Sequence, residues 1–348
     1  MSSATAAKAS PSPWTHVAGV VALLSIVISV LVTAFAWPAA RSAVHDVPIA
    51  VAGPAAATAQ VTAALEQRLP GGFDITPVAD TAAAEAAINN REVYGAIDLS
   101  TGKPQVLIAS AGSPVVAQTL QGIATALSQA SPGTEAAVVV RDLAPLPADD
   151  PRGAGLAAGA LPLVIGGMIA AVFLTLRIRG TLRRVTGAVA YAVIGGSAMA
   201  AILQFGLGSI DGTYALNAGV MALSLAATSL TLLGLESLLG FAGFGLGAAV
   251  IFLLGNPLSG ATSAPEMLPG WSGELGQLLP PGAAFNLLRS AAFFDGAGAT
   301  RPLTVLLSWL ALGLLLCAAS AMRPSRRRAA QAVEQPEATT QPASPALA

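Results

Sequence analysis

The stretch that decides the fold runs from Leu238 to Arg289 and reads LLGFAGFGLGAAVIFLLGNPLSGATSAPEMLPGWSGELGQLLPPGAAFNLLR. Its first part, to Leu254, is a glycine-rich apolar segment long enough to span a membrane. Asn256-Pro257 ends this helix, because proline has no N–H and disfavours α geometry in the residue before it. The second part stays apolar and nearly uncharged after the span has ended. An apolar span followed by an apolar loop is expected at a membrane surface.

The proline-rich loop, residues 255–302, is cut by its prolines into pieces too short to cross a bilayer. Two of these pieces, Trp271–Leu279 and Ala283–Phe294, predict short helices with one apolar face. We expect them to be interfacial or re-entrant and to lie against the outer ends of neighbouring spans. An ordinary extracytoplasmic loop is the alternative. The candidates for an outer gate or re-entrant segment are Asn256, Pro257, Ser259, Gly260, Pro265, Glu266, Pro269, Pro280 and Arg289.

The composition indicates an integral membrane protein. Hydrophobic residues make up 54% of the chain and charged residues only 10%, whereas soluble domains have about 25% charged residues. The net charge of −1 gives no basic field that would favour nucleic acid as a partner. Cys317, the single cysteine, excludes a disulfide framework and is expected to pack as a small apolar residue against lipid or a helix.

Six apolar segments predict transmembrane helices, so the fold class is an α-helical polytopic membrane protein. The first could also be a signal peptide, since Ala34-Phe35-Ala36 resembles a cleavage site. Only Lys8 precedes it, however, and an uncleaved anchor is favoured. The predicted spans are 17–37, 156–176, 185–207, 213–235, 238–254 and 303–322.

Between the first and second spans, residues 38–155 have the mixed composition of a folded aqueous domain. Strands alternate with helices there, which predicts a small α/β domain. The predicted strands are Val47–Ala52, Phe73–Val78, Tyr94–Leu99, Pro104–Ala109 and Ala137–Leu143, and the predicted helices are Thr58–Leu69, Thr81–Asn89 and Ser113–Gln129.

Arginine sets the expected orientation, because short loops rich in Lys and Arg stay in the cytoplasm. Both termini are then cytoplasmic, residues 38–155 lie outside, and the chain is a multi-pass protein of a bacterial plasma membrane. Residues 1–16 form a short inner tail, and residues 323–348 read as a disordered cytoplasmic tail. The arginines concerned are Arg177, Arg179, Arg183 and Arg184 between the second and third spans, and Arg323, Arg326, Arg327 and Arg328 after the sixth.

The sequence predicts no catalytic site, no metal site and no cofactor bound by this chain. A phosphate-binding loop needs a Gly-Lys pair, and Gly102-Lys103 is the only one in the sequence. Pro104 follows it, however, and the glycine pattern of a phosphate-binding loop is missing. We therefore expect no ATP hydrolysis by this chain alone. No catalytic triad elbow or zinc-binding helix motif is present either.

The few polar and glycine positions inside the spans allow two interpretations each. Glu236 is expected at the hairpin between the fourth and fifth spans, with a buried role as the alternative. Asn217 and Gln204 are expected to bond across helices rather than to bind substrate. Gly243 and Gly247 form a Gly-x-x-x-Gly pair, which serves either packing within the chain or a contact with a second subunit.

Two stretches resemble a known class. Tyr94-Gly95-Ala96-Ile97 and the run from Gly255 to Arg289 are similar to the membrane subunits of type 2 ABC exporters, in the branch that includes the phage infection protein family. The order of one span, a large outer α/β domain and five clustered spans also resembles that class. The segment before the first span departs from the class. Members often have a basic amphipathic helix there, and this chain has only a short tail.

The resemblance implies a permease that works as a homodimer or in a pair, in contact with membrane lipid. A separate ATP-binding subunit, carrying ATP and Mg, would dock on the turn from Arg177 to Arg184 and drive a hydrophobic or amphipathic substrate outward. The positive-inside rule alone could also explain that turn. The alternative function is a non-transport envelope or secretion-accessory protein whose outer domain binds a partner.

Overall fold

The computed structural model describes residues 12–130 and 138–333. Within these ranges, five helices are long and apolar enough to cross a membrane. In chain order the elements are α1 (Trp14–Arg41), β1 (Val47–Ala52), α2 (Ala55–Arg68), β2 (Phe73–Val78), α3 (Thr81–Asn89), β3 (Gly95–Asp98), β4 (Gln105–Ile108), α4 (Pro114–Ala130), β5 (Val139–Asp142), α5 (Ala154–Ala158), α6 (Ala160–Arg177), α7 (Thr181–Ala201), α8 (Tyr214–Leu239), α9 (Phe241–Ala248), α10 (Ser272–Gln277), α11 (Pro280–Phe293) and α12 (Thr300–Val333).

Helix α8 is the centre of the helical part. It packs against α6, α7, α9, α11 and α12, and most of its apolar window is buried. Small residues let the neighbouring helices approach it closely. A Cβ added at Gly196 of α7 would collide with the backbone of Ala222, and one added at Gly313 of α12 would collide with the backbone of Leu230. Close backbone approach of this kind is how apolar helices associate without a hydrophobic driving force.

The predicted fifth span is a shorter helix than expected. Helix α9 continues as a π-helical segment, Ala249–Gly255, and together they cover Phe241–Gly255. At 1.5 Å per residue or less this is roughly 20 Å, shorter than a hydrocarbon core of about 30 Å. The segment delivers the chain to the proline-rich loop at Asn256.

Helix α1 stands apart from the other helices. None of its apolar window is buried, and it meets the helical part at one end, where the rings of Phe35 and Phe252 lie 5.7 Å apart. Its remaining apolar surface is left for lipid or for another protein.

Residues 42–153, here called the sheet domain, lie in the chain between α1 and α5. Its five strands have the order β2-β1-β3-β4-β5, and only the β3–β4 pair is antiparallel. Apolar clusters cover both faces of the sheet. All eight predicted elements of this domain are present, with ends shifted by up to three residues; Ala137, the first residue of the last predicted strand, lies outside the described residues.

Two expectations for the C-terminal third need correction. Helix α11 is buried on nearly every side rather than on one face only, and it lies against the neighbouring helices α8 and α12. Helix α12 extends to Val333, so residues 323–333 of the predicted disordered tail are helical. The sequence RRRAAQAV explains the extension, because arginine and alanine are strong helix formers. Residues 334–348 lie outside the described part of the chain.

Candidate functional site

The sheet domain docks on the proline-rich loop through a short 3-10 turn, Pro265–Met267. The phenolic hydroxyl of Tyr94 donates to Oε2 of Glu266 over 2.9 Å. His45 Nδ1 lies 3.0 Å from the Glu266 carbonyl oxygen, and the Ala43 N–H donates to the Met267 carbonyl over 3.0 Å. Burial raises the pKa of Tyr94, and the neighbouring Glu266 carboxylate raises it further. The phenol therefore stays protonated and remains a donor.

Arg91 provides a second attachment between the sheet domain and the helices. Its backbone adopts a left-handed φ of 61°, and its side chain reaches α11. Nη1 donates to the Asn286 carbonyl over 3.0 Å and to Ser290 Oγ over 2.5 Å. The guanidinium carbon lies 5.2 Å from the centre of the Phe294 ring, a cation–π geometry. Burial lowers the Arg91 pKa, while Tyr94 and Glu266 raise it.

Hydrogen bonds continue from this attachment into the proline-rich loop. The side-chain amide of Asn286 donates to Gln277 Oε1 over 3.0 Å, and the Gln277 amide donates to the Ser259 carbonyl over 3.0 Å. Ser259 Oγ donates to the Asn256 carbonyl over 2.7 Å. A continuous polar path therefore connects Arg91 to the end of the fifth apolar segment.

Arg289 fixes the same loop from inside. Its side chain is 6% exposed, and its two terminal nitrogens donate to the carbonyls of Gly260, at 3.3 Å, and Ala261, at 2.8 Å. Burial lowers the pKa of Arg289 to about 10, so the group is still charged at neutral pH. A charged group thus holds the loop at the sheet-domain end of the helices.

Three cavities lie around this loop. An interdomain cavity of about 170 Å³ includes Tyr94, Pro265 and Glu266 in its lining. The apolar cavity, about 580 Å³, opens between α1, the start of α6 and the loop. The arginine cavity, about 380 Å³, lies beside it and is lined by Arg152 and Arg289 among others. These cavities make the loop the best candidate for a functional site.

The structure distributes the predicted loop residues among these features. Asn256, Pro257, Ser259 and Gly260 line the apolar cavity. Pro280 starts α11 as its first helical residue, and the carbonyl of Pro269 accepts a hydrogen bond from Ser272 Oγ at 2.7 Å. Arg91 was not predicted as a site residue, and its left-handed backbone gave no sequence signal.

At the opposite end of the helices lies the turn between α6 and α7, residues 177–184, here called the arginine turn. Arg184 is tied down inside it, with Nε donating to the Ile178 carbonyl over 2.8 Å and Nη1 forming a 3.3 Å ion pair with Glu236. Arg177, Arg179 and Arg183 are exposed, and Leu182 between them is 79% exposed. Glu236 thus lies at the hairpin end, as expected, and pairs with Arg184.

The polar and glycine pairs of the spans serve packing inside this chain. Asn217 Nδ2 of α8 donates to Gln204 Oε1 over 3.1 Å, and Gln204 lies in the π-helical segment Ile202–Gly206 that follows α7. A Cβ at Gly243 would overlap the Leu235 carbonyl, and one at Gly247 would press on the side chains of Leu232 and Leu235. Gly243 and Gly247 are buried against α8. This geometry agrees with packing within the chain, the first of the two alternatives.

Comparison with known proteins finds no family model that matches the chain, no similar curated protein and no similar solved structure. The proposed function therefore rests on the residues and their geometry.

Proposed function

We propose that this chain is the membrane subunit of an ABC-type exporter of the type 2 permease class, moving a hydrophobic or amphipathic substrate outward with a separate ATPase. The observation that carries the proposal is the apolar cavity at the sheet-domain end of α1 and α6. Phe35, Ala39, Ala160 and Leu161 of these helices line it. An apolar recess between helix ends is a suitable outlet for a substrate that leaves the bilayer core.

The arrangement of the ends supports an outward direction. The sheet domain and the proline-rich loop occupy one end of the helices, and the arginine turn with Glu236 occupies the other. By the positive-inside rule, the arginine turn faces the cytoplasm. We infer that both termini are cytoplasmic, that the sheet domain is extracytoplasmic, and that Phe241–Gly255 is a further membrane segment beside the five long apolar helices in a bacterial plasma membrane.

The arginine turn is the proposed docking surface for the ATPase. Three exposed arginines and the exposed Leu182 lie in this short turn, so it offers positive charge together with an apolar side chain. An acidic groove with an apolar floor on a soluble subunit would match it. Arg184 belongs to the fold of the turn rather than to this surface, because its guanidinium is already bonded inside it.

The test is affinity purification from detergent-solubilised membranes that contain the full chain. Wild type should recover a P-loop ATPase whose ATP hydrolysis depends on the permease. The double variant Arg179→Glu/Arg183→Glu should lose it, whereas Arg301→Glu, at the sheet-domain end, should retain it. A well-folded wild type that recovers no ATPase would remove the main support for powered export.

A groove on the sheet domain supports the alternative of an envelope or secretion-accessory protein. A groove of about 750 Å³ lies between α2 and the edge strand β2, and exposed Ala59 and Ala63 line it. Small residues leave room there for an apolar side chain of a partner. The alternative predicts that the full-length protein recovers an envelope protein but no ATPase, and that Ala63→Trp abolishes this recovery.

A further inference from the structure

Arg289 is a buried cation that has no counter-ion among the described residues. Its side chain is 6% exposed, and no carboxylate of residues 12–130 or 138–333 forms an ion pair with it. Two carbonyls accept from its terminal nitrogens, but its Nε has no hydrogen-bond partner. Burying a charge that has no ion pair and has an unsatisfied donor costs free energy unless another group compensates it. An anionic ligand would provide that compensation.

A second cation lines the arginine cavity. Arg152, in the segment that leads into α5, lines it together with Arg289, and Gln118 of α4 adds an amide. The lining contains no acidic residue. The nearby Asp150 already accepts from the N–H groups of Ala154 and Gly155, both at 2.8 Å. Two guanidiniums and an amide are donors that suit a phosphate or carboxylate.

The apolar cavity adjoins the arginine cavity. Val115, Ala157, Ala261 and Thr262 line both. Beyond these residues the lining changes to apolar side chains of α1 and α6, including Phe35. One of the two adjoining cavities is therefore lined by positive and polar groups, and the other mainly by apolar ones.

We propose that the arginine cavity and the apolar cavity form one site for an amphiphile with an anionic headgroup. Arg289 and Arg152 bind the headgroup, and the tail lies between α1 and α6. The binding site stands on its own geometry. Only the interpretation of the bound acidic amphiphile as exported cargo rests on the proposed function. A phospholipid of the bilayer and an exported amphiphile share this chemistry. Arg289 also holds the loop, but that role alone would need neither the second arginine nor the adjoining apolar space.

The experiment uses the purified full-length protein in a neutral maltoside detergent, titrated with dodecyl phosphate and with inorganic phosphate. Dodecyl phosphate should bind saturably, and inorganic phosphate at least tenfold more weakly, because it lacks the tail. Arg289→Gln and Arg152→Gln should each weaken dodecyl phosphate about tenfold, the usual effect of losing a charge-assisted hydrogen bond. Arg301→Gln is the matched control, since Arg301 pairs with Glu274 outside both cavities, and it should bind like wild type.

A second variant keeps the test valid if Arg289→Gln does not fold. Ala157 lines both cavities, so Ala157→Phe should obstruct the site while leaving both arginines in place, and it should also weaken dodecyl phosphate. If Ala157→Phe and Arg152→Gln both bind dodecyl phosphate as wild type does, the proposal is wrong whatever Arg289→Gln does. Equal binding of inorganic phosphate and dodecyl phosphate would also overturn it.

Nanodiscs distinguish the two sources of the anion. Weaker dodecyl phosphate binding in phosphatidylglycerol than in phosphatidylcholine nanodiscs would support a lipid occupant, and equal binding would support a transported amphiphile; no binding in either would refute the site. Binding requires no ATPase. A protein that binds dodecyl phosphate but recovers no ATPase would therefore refute powered export and retain the site, and the reverse result would refute the site alone.

Discussion

The phenolic oxygen of Tyr94 lies 2.9 Å from Oε2 of Glu266, and this hydrogen bond joins positions that are 172 residues apart in the chain. Tyr94 immediately precedes β3, and Glu266 lies in the 3-10 turn of the proline-rich loop. The two stretches that carry the family resemblance therefore meet in space. Their contact is the docking point of the sheet domain.

Replacing Tyr94 by Phe should weaken this docking point. The change removes one hydrogen bond to a carboxylate and leaves the ring in place, so we expect a loss of about 1–2 kcal/mol in stability. Thermal unfolding of the protein in detergent measures it. Tyr191→Phe is the control, because the Tyr191 hydroxyl has no hydrogen bond among the described residues. Equal melting temperatures for Tyr94→Phe and wild type would contradict the prediction.

Arg91→Ala should release the sheet domain without unfolding it. The variant loses two hydrogen bonds to α11 and the contact with the Phe294 ring. We expect faster amide hydrogen exchange in peptides that cover Ala43–Asp46 and Pro265–Met267 and unchanged exchange in β1. Arg141→Ala, which breaks only the ion pair with Glu85 inside the sheet domain, should leave exchange at the docking point as it is. Unchanged exchange in Arg91→Ala would exclude Arg91 as an attachment.

Arg184→Gln should destabilise the helical part, whereas Arg183→Gln should not. Arg184 bonds to Thr175, Ile178 and Glu236, and its loss leaves a largely buried carboxylate unpaired, at a cost of about 2 kcal/mol. Arg183 is exposed, and changes at such sites usually stay within about 0.5 kcal/mol. Melting temperatures of the two variants in detergent provide the comparison. Equal stability would place Arg184 on the surface with the other arginines.

Gly243→Ala and Gly245→Ala test the packing of α9 on α8. A Cβ at Gly243 would overlap the Leu235 carbonyl, while Gly245 has nothing within 4 Å. We expect Gly243→Ala to lose about 1–3 kcal/mol through overpacking and Gly245→Ala to be neutral or slightly stabilising. Thermal unfolding again gives the measurement. A neutral Gly243→Ala would show that α9 can move away from α8 at little cost.

Asp98 should make the sheet domain sensitive to acid. Burial alone would raise the pKa of Asp98, but hydrogen bonds from Ser100, Thr81 and Gln105 hold it below the usual 3.8. A carboxyl group whose pKa is lowered on folding stabilises the fold above its unfolded pKa, and this contribution is lost as the pH falls through the folded pKa. The stability of wild type should therefore fall below about pH 4.

Asp98→Asn provides the comparison. It should be less stable than wild type at neutral pH, because an amide cannot accept all four hydrogen bonds to Asp98. It should also lose less stability between pH 4 and pH 2. Sheet-domain hydrogen exchange measured across that range checks both points, and parallel pH profiles for the two proteins would contradict them.

Local patterns predicted the sheet domain well. Strands β1 and β2 have the predicted ends, and so does α3, where Asp80 accepts from the Ala83 N–H at 2.9 Å. These signals come from residues close together in the chain, because period-2 alternation and a capping carboxylate are short-range features. The long apolar helices were equally clear for the same reason.

The partners of charged residues could not be predicted. Nothing near Tyr94 or Arg91 in the sequence specifies Glu266 or Ser290, since such contacts depend on how the sheet domain sits on the helices. Helix α11 was misjudged for a related reason. Its sequence does not show that carbonyls of the loop accept hydrogen bonds from Arg289. The change from α-helix to π-helix at the end of α9 also has no clear sequence signal.

The polar path from Arg91 passes through Asn286 and Gln277 to Ser259, which lines the apolar cavity. Thermodynamic linkage gives this path a consequence, because a coupling free energy between two sites acts equally in both directions. If an occupant of the cavity binds more tightly when the sheet domain is docked, it stabilises the docked state, and docking raises the affinity of that occupant by the same factor. A molecule that binds only the docked sheet domain would then alter affinity in the cavity by that factor, without touching it.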